Sequence, residues 1–331
     1  MDRALDPDGI ERRVFAAPTL SEVGALTVGV ALVATLFTSM SNSGVDWATY
    51  LGAVDGDYVV GDGLAWYYPY WWLWPLEALT SLGDTAGYVT LGVVNLLGIF
   101  FAARVFGGHP ALALIAYHTL MVSFTGTVTG LVAAAVAGLW WALQRRRMVL
   151  AGLLAAFSLA KLGWGIPLVV AMVLVSPATW WERSRAVASA GVIGVASLAV
   201  YGWWPADVIE RADTVPPAGN GSLWHFVGPV VLVLWVPVLV TRMDARTRIA
   251  AVMATALLAA PYVQQYDFAL LFTMGHSWIG LVSWARPVLV KVGGTEFARF
   301  VLTVIPATYY CLALASTRRT RRDSDRHFST A

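Results

Sequence analysis

Apolar residues fill long blocks of this chain, at 20–41, 86–106, 110–124, 127–144, 148–162, 164–178, 187–203, 224–241, 249–263, 265–285 and 296–316, with short polar stretches between them. Blocks of this kind predict membrane-crossing helices, each of which needs roughly 20 apolar residues. Several blocks are shorter, so some helices are expected to be tilted, kinked or partly sunk in the protein. The segment 70–83 is predicted to lie in the membrane interface as a short helix, because Trp71, Trp72 and Trp74 cluster there. No internal repeat emerges. The pattern predicts an all-α polytopic membrane protein with a short N-terminal tail at 1–18 and one membrane domain over 19–316. A basic tail follows at 317–331, whose polar sequence predicts disorder.

Composition supports this reading. Of 331 residues, 58% are hydrophobic and 13% charged, more apolar surface than a soluble domain can bury. Cys311 is the single cysteine, which excludes an internal disulfide and any multi-cysteine metal site. The five histidines show no HxxxH or HExxH spacing, so neither metal nor cofactor is expected. Glycine-rich phosphate loops and GxSxG are absent, and there is no room for a soluble nucleotide-binding domain. Nor is a nucleic-acid partner expected.

Charge sets the orientation. Arg145–Arg147, Arg183 and Arg185, Arg242, Arg246 and Arg248, and the tail arginines 318, 319, 321 and 322 are predicted to be cytoplasmic. Segments 42–85, 204–223 and 261–267 then face outward, in a plasma-membrane protein. The first 18 residues mix Asp, Glu and Arg and read as a cytoplasmic tail, not a signal peptide. Eleven crossings from an inside N-terminus would put the basic tail outside. Either a C-terminal segment is therefore re-entrant or the stretch 249–316 crosses a different number of times. The tail charge favours an even total, ten or twelve.

Candidate chemistry gathers on the outward side. Residues 46–80 read DWATYLGAVDGDYVVGDGLAWYYPYWWLWPLEALT, and no Lys or Arg occurs between Val14 and Ala103. Asp46 is a candidate general base toward a sugar hydroxyl, or else a solvated aspartate at a helix start. Asp55, Asp57 and Asp62 form a glycine-rich acidic turn without calcium-loop spacing. Lys161, in LLAAFSLAKLGWGIPLVV, either meets a lipid phosphate or snorkels to the outer headgroups. Tyr266 and Asp267, in APYVQQYDFALLF, are candidates for sugar hydroxyls, with a helix start as the plainer alternative. In PPAGNGSLWHF, Ser222 is a plausible N-cap, and Trp224 and His225 are candidates for the same cavity. Asn95 and His118, within spans, are expected to be satisfied interhelical hydrogen bonders.

These elements together resemble glycosyltransferase family 87. DWATY is similar to its Asp-aromatic-x-x-Tyr element, YYPYWWLWPLEAL to its YPP element, and AGLLAAFSLAKLGWGIPLVV to its AGxxxALAxxxKxxP element. GNGSLW resembles its late outer loop and APYVQQYDFALL its SPYxxxYDxxLL element. The resemblance runs from about residue 20 to 285. It departs at Tyr70, where the family has a second proline, at Thr125–Val128, which replaces a Gly-Gln pair, and at Ala260, which replaces a serine.

The resemblance implies a GT-C-like bundle of about 10–12 transmembrane helices, whose outer first loop carries short interfacial helices. It implies transfer of a hexose, mannose foremost, from a polyprenyl-phosphate sugar to a lipid or glycan acceptor on the outer face. Asp46 would take the catalytic-base position and Lys161 the donor-phosphate position. Tyr50, Tyr68, Trp224, His225, Tyr266 and Asp267 would contact substrate. Two other readings stand beside it, a transporter or flippase of a lipid-linked or polar solute and a catalytically inactive scaffold.

Overall fold

The computed structural model describes residues 7–39, 44–60, 64–212 and 220–329. Almost all of the regular structure is helical. Between α1 (Pro7–Val14), α2 (Leu20–Ser39) and α3 (Val45–Val54) on one side and α4 (Leu73–Thr80) on the other lies a two-residue antiparallel hairpin pairing Val59 with Ala65. There follow α5 (Asp84–Phe106), α6 (Pro110–Ile115), α7 (Tyr117–Thr125), α8 (Thr129–Gln144), α9 (Met148–Ser158), α10 (Leu162–Val175) and α11 (Trp180–Tyr201). The chain ends through α12 (Trp204–Ala212), α13 (Trp224–Val227), α14 (Trp235–Val240), α15 (Ala245–Ala259), α16 (Ala269–Phe272), α17 (Arg286–Leu302) and α18 (Val304–Ser329).

Among the described residues, three stretches are long and apolar enough to cross a membrane: Asp84–Phe106, Trp180–Tyr201 and Ser277–Thr317. A fourth is added if α7 and α8, bent by 115°, form one span. Other apolar helices are shorter, among them α9, α10 and the run from Trp224 to Val240. Large apolar side chains stand exposed along α11, including Val187, Val192 and Val195, and along α17, including Val288 and Val292. An exposed apolar belt of this extent is costly in water and suits a hydrocarbon surround.

Contacts sort the molecule into two ends. At one, Arg145 pairs with Asp8 at 2.8 Å and with Glu11 at 2.9 Å. Arg13 Nε donates to the Arg104 carbonyl at 3.0 Å, and Arg246 Nη2 donates to that of Gly107 at 2.7 Å. The start of α2 joins this end through the Glu22–Arg104 pair, 2.7 Å long and nearly buried. Arg145 and Arg246, from two of the basic clusters, thus share one end with Arg13 and Arg104. At the other end, Trp47 of α3 donates its indole N–H to Asp84 at 2.7 Å, and α7 turns into α8 against Trp47.

The C-terminal part folds back on itself between Gln264 and Arg286. From Gln264, bridged to Asn220, the chain descends through α16 to Gly108 and the Arg246 end. It then climbs back through Ser277–Ala285 to Arg286, whose Nε donates to Gln265 at 2.7 Å. This is a hairpin of short helical pieces, with α16 fully buried. Its second limb, Ser277–Ala285, exposes Trp278, Leu281, Val282 and Trp284 and begins the candidate span Ser277–Thr317. After a kink at Gly294, α18 runs down to the basic end, where Thr247 and Ser316 hydroxyls lie 3.4 Å apart.

One expectation is corrected. The aromatic stretch 70–74 does not lie exposed in an interface: Tyr70, Trp71, Trp72 and Leu73 are buried. Trp71 donates to the Ala156 carbonyl at 3.1 Å, Trp72 packs edge-on against Phe157, and Tyr70 stacks on Trp204. Their ring area is worth more against α9 and α12 than at a headgroup layer. Helix α18 runs as helical backbone to Ser329. Arginine is a good helix former, and no Gly or Pro follows Pro306.

Candidate active site

The site begins with the break between α9 and α10. Leu159 and Lys161 leave helical geometry, so Lys161 caps the start of α10 and its side chain turns into the protein. Its Nζ donates to Asp267 Oδ1 at 2.7 Å and lies 4.4 Å from the centre of the Tyr266 ring. The lysine side chain is 11% exposed and the aspartate 2%. Lys161 is therefore not snorkelling to headgroups.

Asp267 is held from all sides. Oδ1 also accepts from the Thr129 hydroxyl at 3.0 Å; Oδ2 accepts from the Trp164 indole N–H at 3.2 Å and the Gln264 backbone N–H at 3.1 Å. The last bond closes a capping box at the 3-10 turn Gln265–Phe268. Four donors fill the lone pairs of a carboxylate. Asp267 thus holds Lys161 in place, and it is also the helix-start residue of the plainer reading.

Tyr266 connects this pair to Asp46. Its hydroxyl donates to Asp46 Oδ2 at 3.1 Å. Asp46 sits in the first turn of α3, half-buried and closely surrounded by protein. Burial pushes its carboxyl above the usual range, against the opposing pull of Lys161 and the Tyr266 bond; Asp267 adds to the upward shift. The charge of Lys161 thus arrives from a distant part of the chain to serve a loop that has no cation of its own before Arg104.

One turn along α3, the Tyr50 hydroxyl donates to Tyr68 at 3.0 Å and accepts from the Val128 N–H at 3.2 Å. Tyr50, Trp66 and Tyr68 pack on one another with ring centroids 4.9–5.8 Å apart. Asp46, Tyr50, Tyr68, Lys161, Tyr266 and Asp267 accordingly form one cluster. Such a group can take a proton at Asp46, present a cation at Lys161 and offer aromatic surface.

Trp224 and His225 stand apart from it. They occupy α13, half-buried and exposed respectively, and the His225 ring packs against Phe226. Ser222 is not the cap of α13: Leu223 holds that position and the Ser222 hydroxyl is buried without a partner. Asn95 meets its expectation, donating to the Thr127 carbonyl at 2.6 Å and accepting from the Gly130 and Leu131 N–H groups. His118 does not; its ring stacks on Phe272 and neither nitrogen has a hydrogen-bond partner.

Asp55 and Asp57 are exposed, and Asp62 lies outside the described residues. Among the described residues no group of three His, Cys, Asp or Glu could hold a metal ion. The residues that sequence reasoning missed are Trp164 and Thr129, which satisfy Asp267. Their only signal was position, Trp164 three residues past Lys161 and Thr129 at a helix start. Comparison with protein-family models and with curated proteins finds no match to this chain.

Proposed function

We propose that this chain is a membrane-embedded glycosyltransferase that moves a hexose, with mannose the sugar the family resemblance implies, from a polyprenyl-phosphate donor to a lipid or glycan acceptor on the outer face. The observation that carries the reading is the link from Asp46 through Tyr266 to Lys161. Asp46 accepts from Tyr266 at 3.1 Å, and Lys161 lies over the same ring at 4.4 Å. A base and a cation held on either side of one tyrosine suit a displacement in which an acceptor hydroxyl loses its proton while a sugar leaves a phosphate. Asp46 takes the proton, and Lys161 stabilises the charge that grows on the departing lipid phosphate, worth more in a water-poor site than in water. Only one bond of the ammonium is spent on Asp267, so two N–H donors remain for phosphate. In this reading the bundle has ten or twelve passes and the basic end is cytoplasmic.

The test is incorporation of label from polyprenyl-phosphate mannose into lipid and glycan extracts. Wild type should transfer, and Asp46→Ala should lose most of the transfer. Equal transfer by the variant would remove Asp46 from the reaction.

One observation favours a second reading. A nearly buried Lys161–Asp267 pair is also what a proton- or solute-coupled transporter places between its helices. Uptake into proteoliposomes without any covalent product, lost in Asp267→Asn, would support transport over transfer.

A further inference from the structure

The basic end carries a cavity that the proposed transfer reaction does not use. It measures about 350 Å³ and is lined by Arg246, Thr247, His276, Tyr309 and Ser316 over an apolar floor that includes Leu312. Arg246 lies in the first turn of α15, whose far end reaches the candidate active site. At 1.5 Å per residue the cavity is roughly 20 Å from that site. Among the described residues, no Asp or Glu lines the cavity. Asp244, the acidic residue nearest in sequence, caps α15 by accepting the Thr247 N–H at 2.8 Å.

The guanidinium is seated rather than loose. Nη2 donates to the Gly107 carbonyl at 2.7 Å, and the plane lies against Gly275, where any Cβ would overlap it. A guanidinium has five N–H donors, so one backbone bond leaves a fork that fits phosphate oxygens. Around it stand the His276 imidazole, exposed to the cavity mouth, and the Thr247 and Ser316 hydroxyls, 3.4 Å apart. Tyr309 donates to the His276 carbonyl at 2.8 Å, fixing the loop that presents the imidazole.

We propose that this cavity binds a phosphate-bearing ligand, taken either from a lipid headgroup or from a free phosphorylated solute. Basic pockets between helices at the cytoplasmic side of membrane proteins take phosphate headgroups by this chemistry, and the apolar floor suits the glycerol and first methylenes of a lipid. The inference stands on the cavity alone and does not depend on glycosyl transfer at the opposite end.

The experiment uses the full-length protein in detergent, with bound phosphatidylglycerol counted by native mass spectrometry. Dioleoylglycerol, which has the same tails and no phosphate, serves as the comparison, and inorganic phosphate as competitor. Phosphatidylglycerol should bind, and Arg246→Gln and His276→Ala should each weaken it by roughly ten-fold, the scale of one charge-assisted hydrogen bond. Displacement by inorganic phosphate supports the site with a free phosphorylated solute as its ligand; resistance to displacement supports it with a lipid headgroup. Equal binding of dioleoylglycerol, or unchanged affinity in both variants, overturns it. Should Arg246→Gln fail to fold, His276→Ala decides alone, because that side chain is exposed.

Discussion

At the scale of single residues, the Lys161–Asp267 pair separates structural from chemical roles. Removing one partner of a buried pair leaves an uncompensated charge and costs about 3–5 kcal/mol. Lys161→Met and Asp267→Leu should therefore each lower thermal stability by that amount, while the double variant should recover most of it. Transfer should not recover in the double variant, because the cation proposed to meet the phosphate is still missing. A double variant that regained both stability and transfer would leave the pair as packing alone. Asp46 supplies a pH test. Its carboxyl is held above the ordinary range by burial, and only the ionised form accepts a proton. Turnover should fall as pH drops through this raised value, earlier than for a solvent-exposed aspartate, and Asp46→Asn should be flat and lower by about 10²–10⁴. A pH–rate profile of both proteins checks this.

The sequence made Asp46, Lys161, Tyr266 and Asp267 visible one at a time, because polar groups in apolar surroundings are costly and stand out. It could not show that Lys161 and Asp267 meet across 106 residues, nor that Trp164 and Thr129 complete the carboxylate's bonds. Trp224 and His225 looked equivalent to the others because their loop carries the same polar-aromatic mixture. On α13 the His225 ring packs against Phe226 instead of joining the Asp46–Lys161 cluster, a tertiary outcome without a local signal.

At the scale of elements, the seat of α3 rests on the reversal between α7 and α8. Gly126 sits there at φ +72°, and a Cβ would lie 2.8 Å from that of Trp47. Trp47 follows Asp46, so this close approach fixes the height of the candidate base. Gly126→Ala combines a left-handed backbone with overlap, and should cost about 1–3 kcal/mol and lower transfer beyond the loss of folded protein. Gly191→Ala, on α11 with nothing within 4 Å, should instead be neutral or slightly stabilising. Melting temperatures and specific activities of the two variants, measured together, distinguish a local seat from general fragility. The same scale explains the misread aromatic stretch. Tryptophan suits an interface and a packed core equally well by composition. Only the arrival of α9 and α12 beside residues 70–73 decides between them.

At the scale of the whole molecule, the two ends differ in their charged groups. Arg13, Arg104, Arg145 and Arg246 gather at one, and Asp46, Tyr50, Tyr68 and Tyr266 at the other, where Lys161 and Arg286 also lie. Charge bias predicted this division from loops alone, and helix contacts now join those loops into two poles. The number of crossings was harder to read, because hydropathy cannot separate a single span from a chain that folds back on itself, as 264–286 does with α16 buried and Trp278, Leu281, Val282 and Trp284 exposed. That hairpin brings the tail to the Arg246 pole despite eleven apolar blocks in the sequence. Labelling tests the arrangement directly. In a Cys311→Ser background, single cysteines at Asp55, Arg146 and Ser324 would be probed with a membrane-impermeant maleimide on intact cells and on inverted vesicles. Asp55→Cys should react from outside, and Arg146→Cys and Ser324→Cys only from inside. Reaction of Ser324→Cys alongside Asp55→Cys would mean that the 264–286 segment does not return as a hairpin. It would also detach the basic tail from the pole that carries the phosphate cavity. Agreement of all three would fix which pole faces the cytoplasm, and with it the side from which an acceptor must reach Asp46.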